Sequence, residues 1–302
     1  MPVSKFPFGV FHPFSSLPVP VRLGILAKHL LQSWKPRKLK AKPRADYTLA
    51  TMAGQSHVAL LRETLYSFAY AAAEIPPLKI INDGSLTEST VHEVLDFWPS
   101  EIELIDRKSI LDSLTIRALP ELENLINHSI LNLKLAGLIS LSSEGPVFFT
   151  DSDILWFEDP TRTIMDHFDQ PGLVATREHG CNVNESLAER YAPGLVSEQS
   201  INSGCVLINM DLQNHDLIND ILKDANRDPG HRFNEQTTIG ILAEKMGAYF
   251  NRLFCMVRFE DAAKIRRFKP WANGYTSRHY VNWMRHQFYR DALRLRFWNH
   301  IK

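Results

Sequence analysis

The 302-residue sequence predicts an α/β protein built on a mostly parallel sheet. Three observations carry that prediction. From residue 46 onward, short apolar runs alternate with longer stretches whose apolar residues recur at three- and four-residue steps. The stretches between the runs are long enough for helical crossovers, which parallel pairing of neighbouring strands requires. Acidic residues fall directly after two of the apolar runs, in NDGS (82–85) and TDSD (150–153), where sheets of this class place their ligands.

The elements follow in order. DYTLATMA (46–53) reads as a strand, and HVALLRETLYSFAYAAA (57–73) as a helix with Val58, Leu61, Leu65, Phe68 and Ala72 on one face. LKII (78–81) is a short buried strand that ends in the turn signal NDGS. LTESTVHEVLDFW (86–98) is the next helix and EIELI (101–105) the next strand. Helical text resumes over 120–142, with Leu131, Leu135 and Leu138 forming a stripe. PVFFT (146–150) is a strand with proline at its first position, and it runs straight into Asp151, Ser152 and Asp153. Further on, CVLINM (205–210) is a strand entered by a turn at Asn202–Gly204. FNEQTTIGILAEKMG (233–247) is a helix with Asn234 as N-cap, Glu235 and Gln236 in its first turn, and Gly247 as C-cap.

Composition narrows the function classes. With 44% hydrophobic and 23% charged residues, the chain is an ordinary globular protein, not a fibrous or disordered one. No window approaches the ~20 apolar residues of a membrane span. The segment MPVSKFPFGVFHPF lacks the compact apolar run of a secretory signal. Three scattered cysteines, Cys181, Cys205 and Cys255, exclude a disulfide framework or a zinc site and point to a cytoplasmic setting. Neither a G-x-G-x-x-G nor a G-x-x-x-x-G-K-[ST] motif occurs, which argues against dinucleotide enzymes and P-loop nucleotidases.

The net charge of zero conceals an asymmetry. Residues 1–44 hold nine lysines and arginines and no acid, and residues 252–302 hold twelve against three acids. Basic ends around an acidic middle suit an anionic partner, or internal pairing within one fold. Residues 20–34 form an amphipathic helix with Leu23, Leu30, Leu31 and Trp34 on its apolar face, followed by the basic, proline-broken linker KPRKLKAKPRA (35–45). That combination predicts peripheral contact of residues 20–44 with an anionic inner-membrane face, or else a lid helix with a solvated linker. The chain accordingly divides into an N-terminal extension, 1–45, and a main α/β domain, 46–302.

The most informative chemistry lies in VFFTDSDILWFEDP (147–160). Two carboxylates one residue apart, exposed at the end of a buried strand, can share a hard divalent cation such as Mn²⁺ or Mg²⁺. This string resembles the metal-binding D-x-D segment of nucleotide-sugar glycosyltransferases of the GT-A fold, with families 8 and 77 the nearest in motif. The resemblance spans about 46–270 in motifs, without continuous identity. It implies a GT-A architecture, a nucleoside-diphosphate-sugar donor, and an acceptor hydroxyl on a glycan, lipid-linked glycan or protein, with no nucleic-acid partner. Asp151 and Asp153 would hold the metal, with Ser152 beside the donor.

Further motifs extend the resemblance. LNLKLAGLISL (131–141) is similar to the helix that precedes the D-x-D segment, so Lys134 would approach the sugar nucleotide. INSGCVLINM (201–210) resembles the N-S-G segment, where Asn202 would face the donor sugar and Gly204 would let the backbone come close. Asn234-Glu235-Gln236 stands where the family carries an acid and a glutamine at the anomeric carbon. The third metal ligand departs from the pattern. FKPW (268–271) is present, but the position of the family's histidine is Ala263, leaving His279 in SRHYVNW as the candidate. Lys269, with Arg266 and Arg267, would neutralise the diphosphate. Thr51 and Met52 close the first strand where the family holds base and ribose, and Asp83 would face the base. The implied reaction is a metal-dependent hexosyl transfer; the resemblance favours retention, with Glu235, Gln236 and Asn202 steadying the sugar, whereas inversion would make Glu235 the general base. REHGCNVNESLAERYAPG (177–194) is expected beside the acceptor. Two alternatives stand beside this one: a catalytically inactive nucleotide-sugar-fold scaffold at a membrane, and a haloacid-dehalogenase-like phosphatase using Asp151 as nucleophile.

Overall fold

A computed structural model describes residues 3–5, 11–13, 18–169, 171–179, 182–196, 199–257, 274–281 and 284–301. Two short strands, β1 (Val3–Lys5) and β2 (Phe11–Pro13), pair antiparallel, and helix α1 (Val19–Ser33) follows. The alternation expected from residue 46 is then found: β3 (Thr48–Ala53), α2 (Val58–Ala71), β4 (Leu78–Asn82), α3 (Glu88–Val94) and β5 (Ile102–Ile105). A helix that the periodicity did not indicate, α4 (Arg107–Ser113), starts at Asp106, whose carboxylate accepts from the Ser109 amide at 2.7 Å. The helical stretch at 120–142 is two helices, α5 (Leu119–His128) and α6 (Leu131–Leu141).

Next come β6 (Val147–Thr150), β7 (Ile154–Trp156), α7 (Thr161–Met165), β8 (Leu173–His179), α8 (Glu185–Tyr191), β9 (Gln199–Ile208), α9 (Asp216–Ala225) and α10 (Asn234–Met246). The described elements close with β10 (Ala248–Tyr249), β11 (Cys255–Met256), β12 (Ser277–His279) and α11 (Arg285–Ile301).

Seven strands form the central sheet in the order β10-β8-β9-β6-β3-β4-β5, and only β9 runs against the others. The mostly parallel sheet is therefore borne out. Its centre is buried on both faces, which explains why β6 reads VFFT with no polar alternation. Successive side chains point to opposite faces. Phe149 thus joins the core beneath α5, α6, α9 and α10, while Phe148 joins an aromatic core with Phe68, Trp156 and Phe254. Helix α6 is buried almost all round, as its Leu-rich text requires, although Leu131 of the expected stripe is exposed. Chain reversal falls beside β3, where the neighbours β4 and β6 are reached by crossovers in opposite directions. A crevice opens there, past the carboxyl ends of β3 and β6.

Two expectations about local structure change. The N-S-G segment lies within β9, not in a turn before it: the β8–β9 register jumps from Ala175↔Val206 to Thr176↔Asn202, leaving Ser203, Gly204 and Cys205 as a bulge against β8. Such a bulge re-aims side chains at the end of a sheet. Asn234 is the first residue of α10, not its cap, which is Phe233. Its buried amide donates to Asp228 O at 2.8 Å and accepts from Asn184 Nδ2 at 2.8 Å, so it pins two loops. Gly247 does cap the helix.

The basic linker is not simply solvated. Lys42 Nζ donates to the carbonyls of Ala69 (2.9 Å), Tyr70 (2.9 Å) and Ala72 (2.5 Å), satisfying the open end of α2 with a cation at the negative pole of its dipole.

Candidate active site

Strand β6 delivers Asp151, Ser152 and Asp153 into the crevice, and a three-stranded sheet, β11-β12-β7, completes the site. Strand β7 starts at Ile154, and β12 pairs antiparallel with it in the register His279↔Ile154. That register sets His279 beside Asp153, and the Tyr280 amide donates to Asp153 O at 2.9 Å to lock it. One ligand atom from each of Asp151, Asp153 and His279 lies within 4.8 Å of the other two. His279 Nε2 is 2.9 Å from Asp153 Oδ1 and 3.5 Å from Asp151 Oδ2.

The imidazole is positioned from behind. Asn202 Oδ1 accepts from Gly204 N (2.9 Å) and lies 3.0 Å from His279 Nδ1, so Nδ1 carries the hydrogen and Nε2 faces the carboxylates. Burial alone would lower the His279 pKa; Asp153 and Asp151 outweigh it and push it up to about 9. Asp153 is buried, not exposed as its place after a strand suggests. Burial favours its neutral form, but His279 and Arg285 overcome this and hold it below its usual value. Arg285, the first residue of α11, reaches Asp153 Oδ2 through Nε and Nη2, both at 3.1 Å, and its Nη1 donates to His57 Nε2 at 3.4 Å.

Gly204 does admit a close neighbour, but that neighbour is the imidazole: a Cβ at Gly204 would lie 2.5 Å from His279 Nδ1 and 2.8 Å from Asn202 Oδ1. Gly204→Ala is therefore expected to displace the ring and weaken metal binding about 10–100-fold, as loss of an outer-sphere support does. A cation titration of the variant checks this, and unchanged affinity would show that the ring is no ligand.

Lys134, on α6, projects under the D-x-D loop. Its Nζ donates to Ser203 O (2.6 Å) and Ser203 Oγ (3.1 Å) and forms ion pairs with Glu235 Oε1 (3.1 Å) and Asp151 Oδ1 (3.3 Å). Burial opposes the charge on Lys134, yet the two carboxylates raise its pKa; burial raises that of Glu235, against the pull of Lys134. Glu235 also accepts from Ser203 Oγ at 3.1 Å. Gln236 accepts from the Ser203 amide at 3.4 Å and donates to Asn182 O at 2.7 Å. The first turn of α10 thus meets the β9 bulge directly over Lys134.

These groups line one cleft of about 400 Å³, within the range of small-molecule sites. Among the sequence candidates, Met52, Lys134, Asp151, Ser152, Asp153, Asn202, Glu235, Gln236 and His279 all contribute to its wall. Thr51 does not: it is fully buried within β3, one position before Met52 and hence on the other face of the strand. Asp83 stands outside the lining, in the turn after β4, with Ser85 N donating to its carboxylate at 2.9 Å. Lys269, with Ala263, Arg266, Arg267 and the FKPW segment, lies outside the described residues, as does Cys181.

Some lining residues were not singled out individually from the sequence, among them Arg285, His57 and Glu178, the last within the stretch 177–194 expected beside the acceptor. Glu178, at the end of β8, accepts from Asn202 Nδ2 (3.0 Å) and from Asn182, and its signal was the apolar LVAT breaking into charge at a strand end. Arg285 and His57 carry no local signal, because only helix packing brings them to the cleft.

No family model matches this sequence, and no curated protein does. Solved structures do match the fold. Mouse xyloside xylosyltransferase 1 superposes with a TM-score of 0.54 and 14% identity, covering 78% of this chain and 97% of that one. The galactosyltransferase LgtC, in complex with donor and acceptor sugar analogs, gives 0.53 and 17% identity over 81% of this chain and 95% of that one. GlyE of Streptococcus pneumoniae TIGR4 gives 0.51 and 12%, over 87% and 65%. At such identities the likeness shows the fold: this is a GT-A architecture, the one expected from the motifs. A haloacid-dehalogenase-like phosphatase, which would need another fold, is set aside.

Proposed function

We propose that the protein is a glycosyltransferase that moves a hexose-type sugar from a nucleoside-diphosphate donor to an acceptor hydroxyl, with Mn²⁺ or Mg²⁺ and with retention at the anomeric carbon. The observation that supports this most is the convergence of Asp151, Asp153 and His279 at the carboxyl end of the central strand of a GT-A sheet. The donor set fits the ion: two carboxylates and one imidazole within 4.8 Å, with Nε2 turned inward by Asn202, suit Mn²⁺ and also accept Mg²⁺. When bound, such an ion neutralises charge on the departing diphosphate.

The chain's own residues do the rest. Lys134 holds Asp151 and Glu235 in fixed places through its two ion pairs. Asn202 orients His279. Arg285, bound to Asp153, has a half-exposed side chain that can turn to phosphate oxygens while remaining on the cleft wall. Glu235 is engaged by Lys134 and Ser203, which suits a fixed negative charge beside a cationic sugar better than a free proton acceptor. That engagement supports retention over inversion. His279 offers an imidazole to the two carboxylates where the sequence has none at 263, which supports an active metal site over the inactive-scaffold alternative.

Glu235→Gln gives a kinetic test. Loss of a charge felt only in the transition state lowers kcat by about tenfold or more and leaves the donor KM nearly unchanged. If kcat is untouched and only the melting temperature moves, Glu235 is a structural partner of Lys134 and not a catalytic group. The overall reading is tested by release of nucleoside diphosphate from a panel of sugar nucleotides with Mn²⁺ or Mg²⁺ present. No release from any donor, with or without simple sugar acceptors, counts against it.

A further inference from the structure

We propose that the helix pair α1–α11 is a docking surface for an anionic lipid bilayer, with α1 lying in the interface. This stands whether or not the cleft transfers a sugar.

Helix α1 has two apolar faces, and only one is used inside the protein. Gly24, Ala27 and Leu31 are buried, and Gly24 brings α11 so close that a Cβ there would lie 2.3 Å from His286 O. The helices run parallel, because at their other ends Trp34 meets the Phe297 ring edge-on at 5.3 Å. Polar bonds then fix α1 in place. Arg62 donates to Leu31 O and Arg296 to Trp34 O, each at 2.5 Å, and both arginines are paired with the buried Glu63 at 2.8 and 2.6 Å.

The second face points outward. Val19, Leu23, Leu26 and Leu30 recur at steps of four, three and four residues, and each is 46–56% exposed. At about 100° per residue they fall within an arc of roughly 60°. The face inferred from sequence is thereby corrected: Leu23 and Leu30 belong to the outer stripe, whereas Leu31 is core. Phe297, 55% exposed, extends the stripe at the far end of α11. Scattered aliphatics on a surface mean little, but four in line on a helix whose position is fixed by buried ion pairs form a patch.

Charge selects the occupant. No aspartate or glutamate occurs between residues 18 and 45. Arg22 lies beside the stripe, and beyond its end Lys35, Arg37, Lys38 and Lys40 are exposed and make no ion pair among the described residues; Lys28 is on the far side of the helix, with Nζ 5.5 Å from the centre of the Tyr289 ring. An aliphatic stripe beside unpaired cations matches the boundary between acyl chains and anionic headgroups. Among the described residues no helix is long and apolar enough to cross a membrane, so the contact is with a surface.

The test is co-sedimentation of the full chain with vesicles of phosphatidylcholine mixed with phosphatidylglycerol, and with phosphatidylcholine alone. Two variants accompany it, L23S/L26S/L30S and K35E/K38E/K40E, all at exposed positions, with melting curves to confirm that each is folded. The wild type is expected to bind the anionic vesicles at least about tenfold more tightly than the neutral ones, and each variant to lose at least about tenfold, since one interfacial Leu or Lys carries roughly a factor of five. Raising salt from about 0.03 M to about 0.5 M weakens the wild type and the serine variant but scarcely the charge-reversed one. No binding to anionic vesicles, or equal binding by all three proteins, overturns the proposal. So does concentration-dependent self-association of the wild type that the serine variant lacks, without vesicle binding, because the stripe then belongs to a second copy. Nucleotide-induced stabilisation reads the cleft alone and stays the same in all three proteins, so failure here is distinct from failure of the transferase reading.

Discussion

Asp153→Asn abolishes metal-dependent nucleotide binding and lowers turnover by more than about a hundredfold. Outer-sphere partners of a metal typically contribute ten- to a hundredfold, and a lost ligand exceeds that. The amide keeps the side chain's shape and can still accept from Arg285, which donates at 3.1 Å, so the metal-free fold is retained. Alanine is the harsher change. It takes the carboxylate from both His279 and Arg285 and leaves a gap beside the buried imidazole, so stability falls as well. Nucleotide titrations with and without EDTA, together with melting curves on both variants, separate the ligand's loss from the fold's. Full activity in Asp153→Asn would exclude the D-x-D pair from the chemistry.

Lys134→Met has the second large effect, and it falls mainly on stability. Its ammonium is the cation nearest to Glu235 and also serves Asp151 and two oxygens of Ser203. Removing it strands Glu235 in a buried setting, at an expected cost of about 3–5 kcal/mol. Adding Glu235→Gln should restore part of that stability, because the stranded charge disappears while the Ser203 hydrogen bond can remain. Denaturant unfolding of the two single variants and the double variant measures the coupling. Additive losses would mean that the two side chains do not act as a pair. Arginine is not expected to substitute, since its wide planar head does not fit among four acceptors arranged around a point.

Much of this site was legible because it is local. A buried strand that ends in two carboxylates one residue apart is readable at residues 147–153 without any knowledge of the rest of the chain. Lys134 and Glu235 could be singled out from their motifs, but not the ion pair that joins them, which depends on α6 and α10 meeting at the β9 bulge. His279 entered as a candidate only because Ala263 failed the expected pattern; what places it is the antiparallel pairing of β12 with β7, and sequence spacing does not encode a register. Arg285 shows the same limit more sharply, since it stands 132 residues from Asp153 in the sequence and meets it only in the fold.

Local rules also misled. Asn234 has the residue type and the position of an N-cap, but tertiary hydrogen bonds to Asp228 and Asn184 outweighed capping. On α1, periodicity allowed two apolar stripes, and only the small residues Gly24 and Ala27 mark the one that is buried. Small residues admit a neighbouring backbone, so they indicate helix contact better than leucines do.

On the transferase reading the cleft at the ends of β3 and β6 binds a nucleoside diphosphate through a cation held by Asp151, Asp153 and His279. Thermal unfolding of the protein with a panel of nucleoside diphosphates, in Mn²⁺, Mg²⁺ or EDTA, tests it most directly. At a hundred times its dissociation constant, a bound nucleotide adds about 2.7 kcal/mol of stability. That gain is expected for at least one base, only with the cation present, and is lost in Asp153→Asn. Stabilisation that persists in EDTA, or none with any base and either cation, would contradict it.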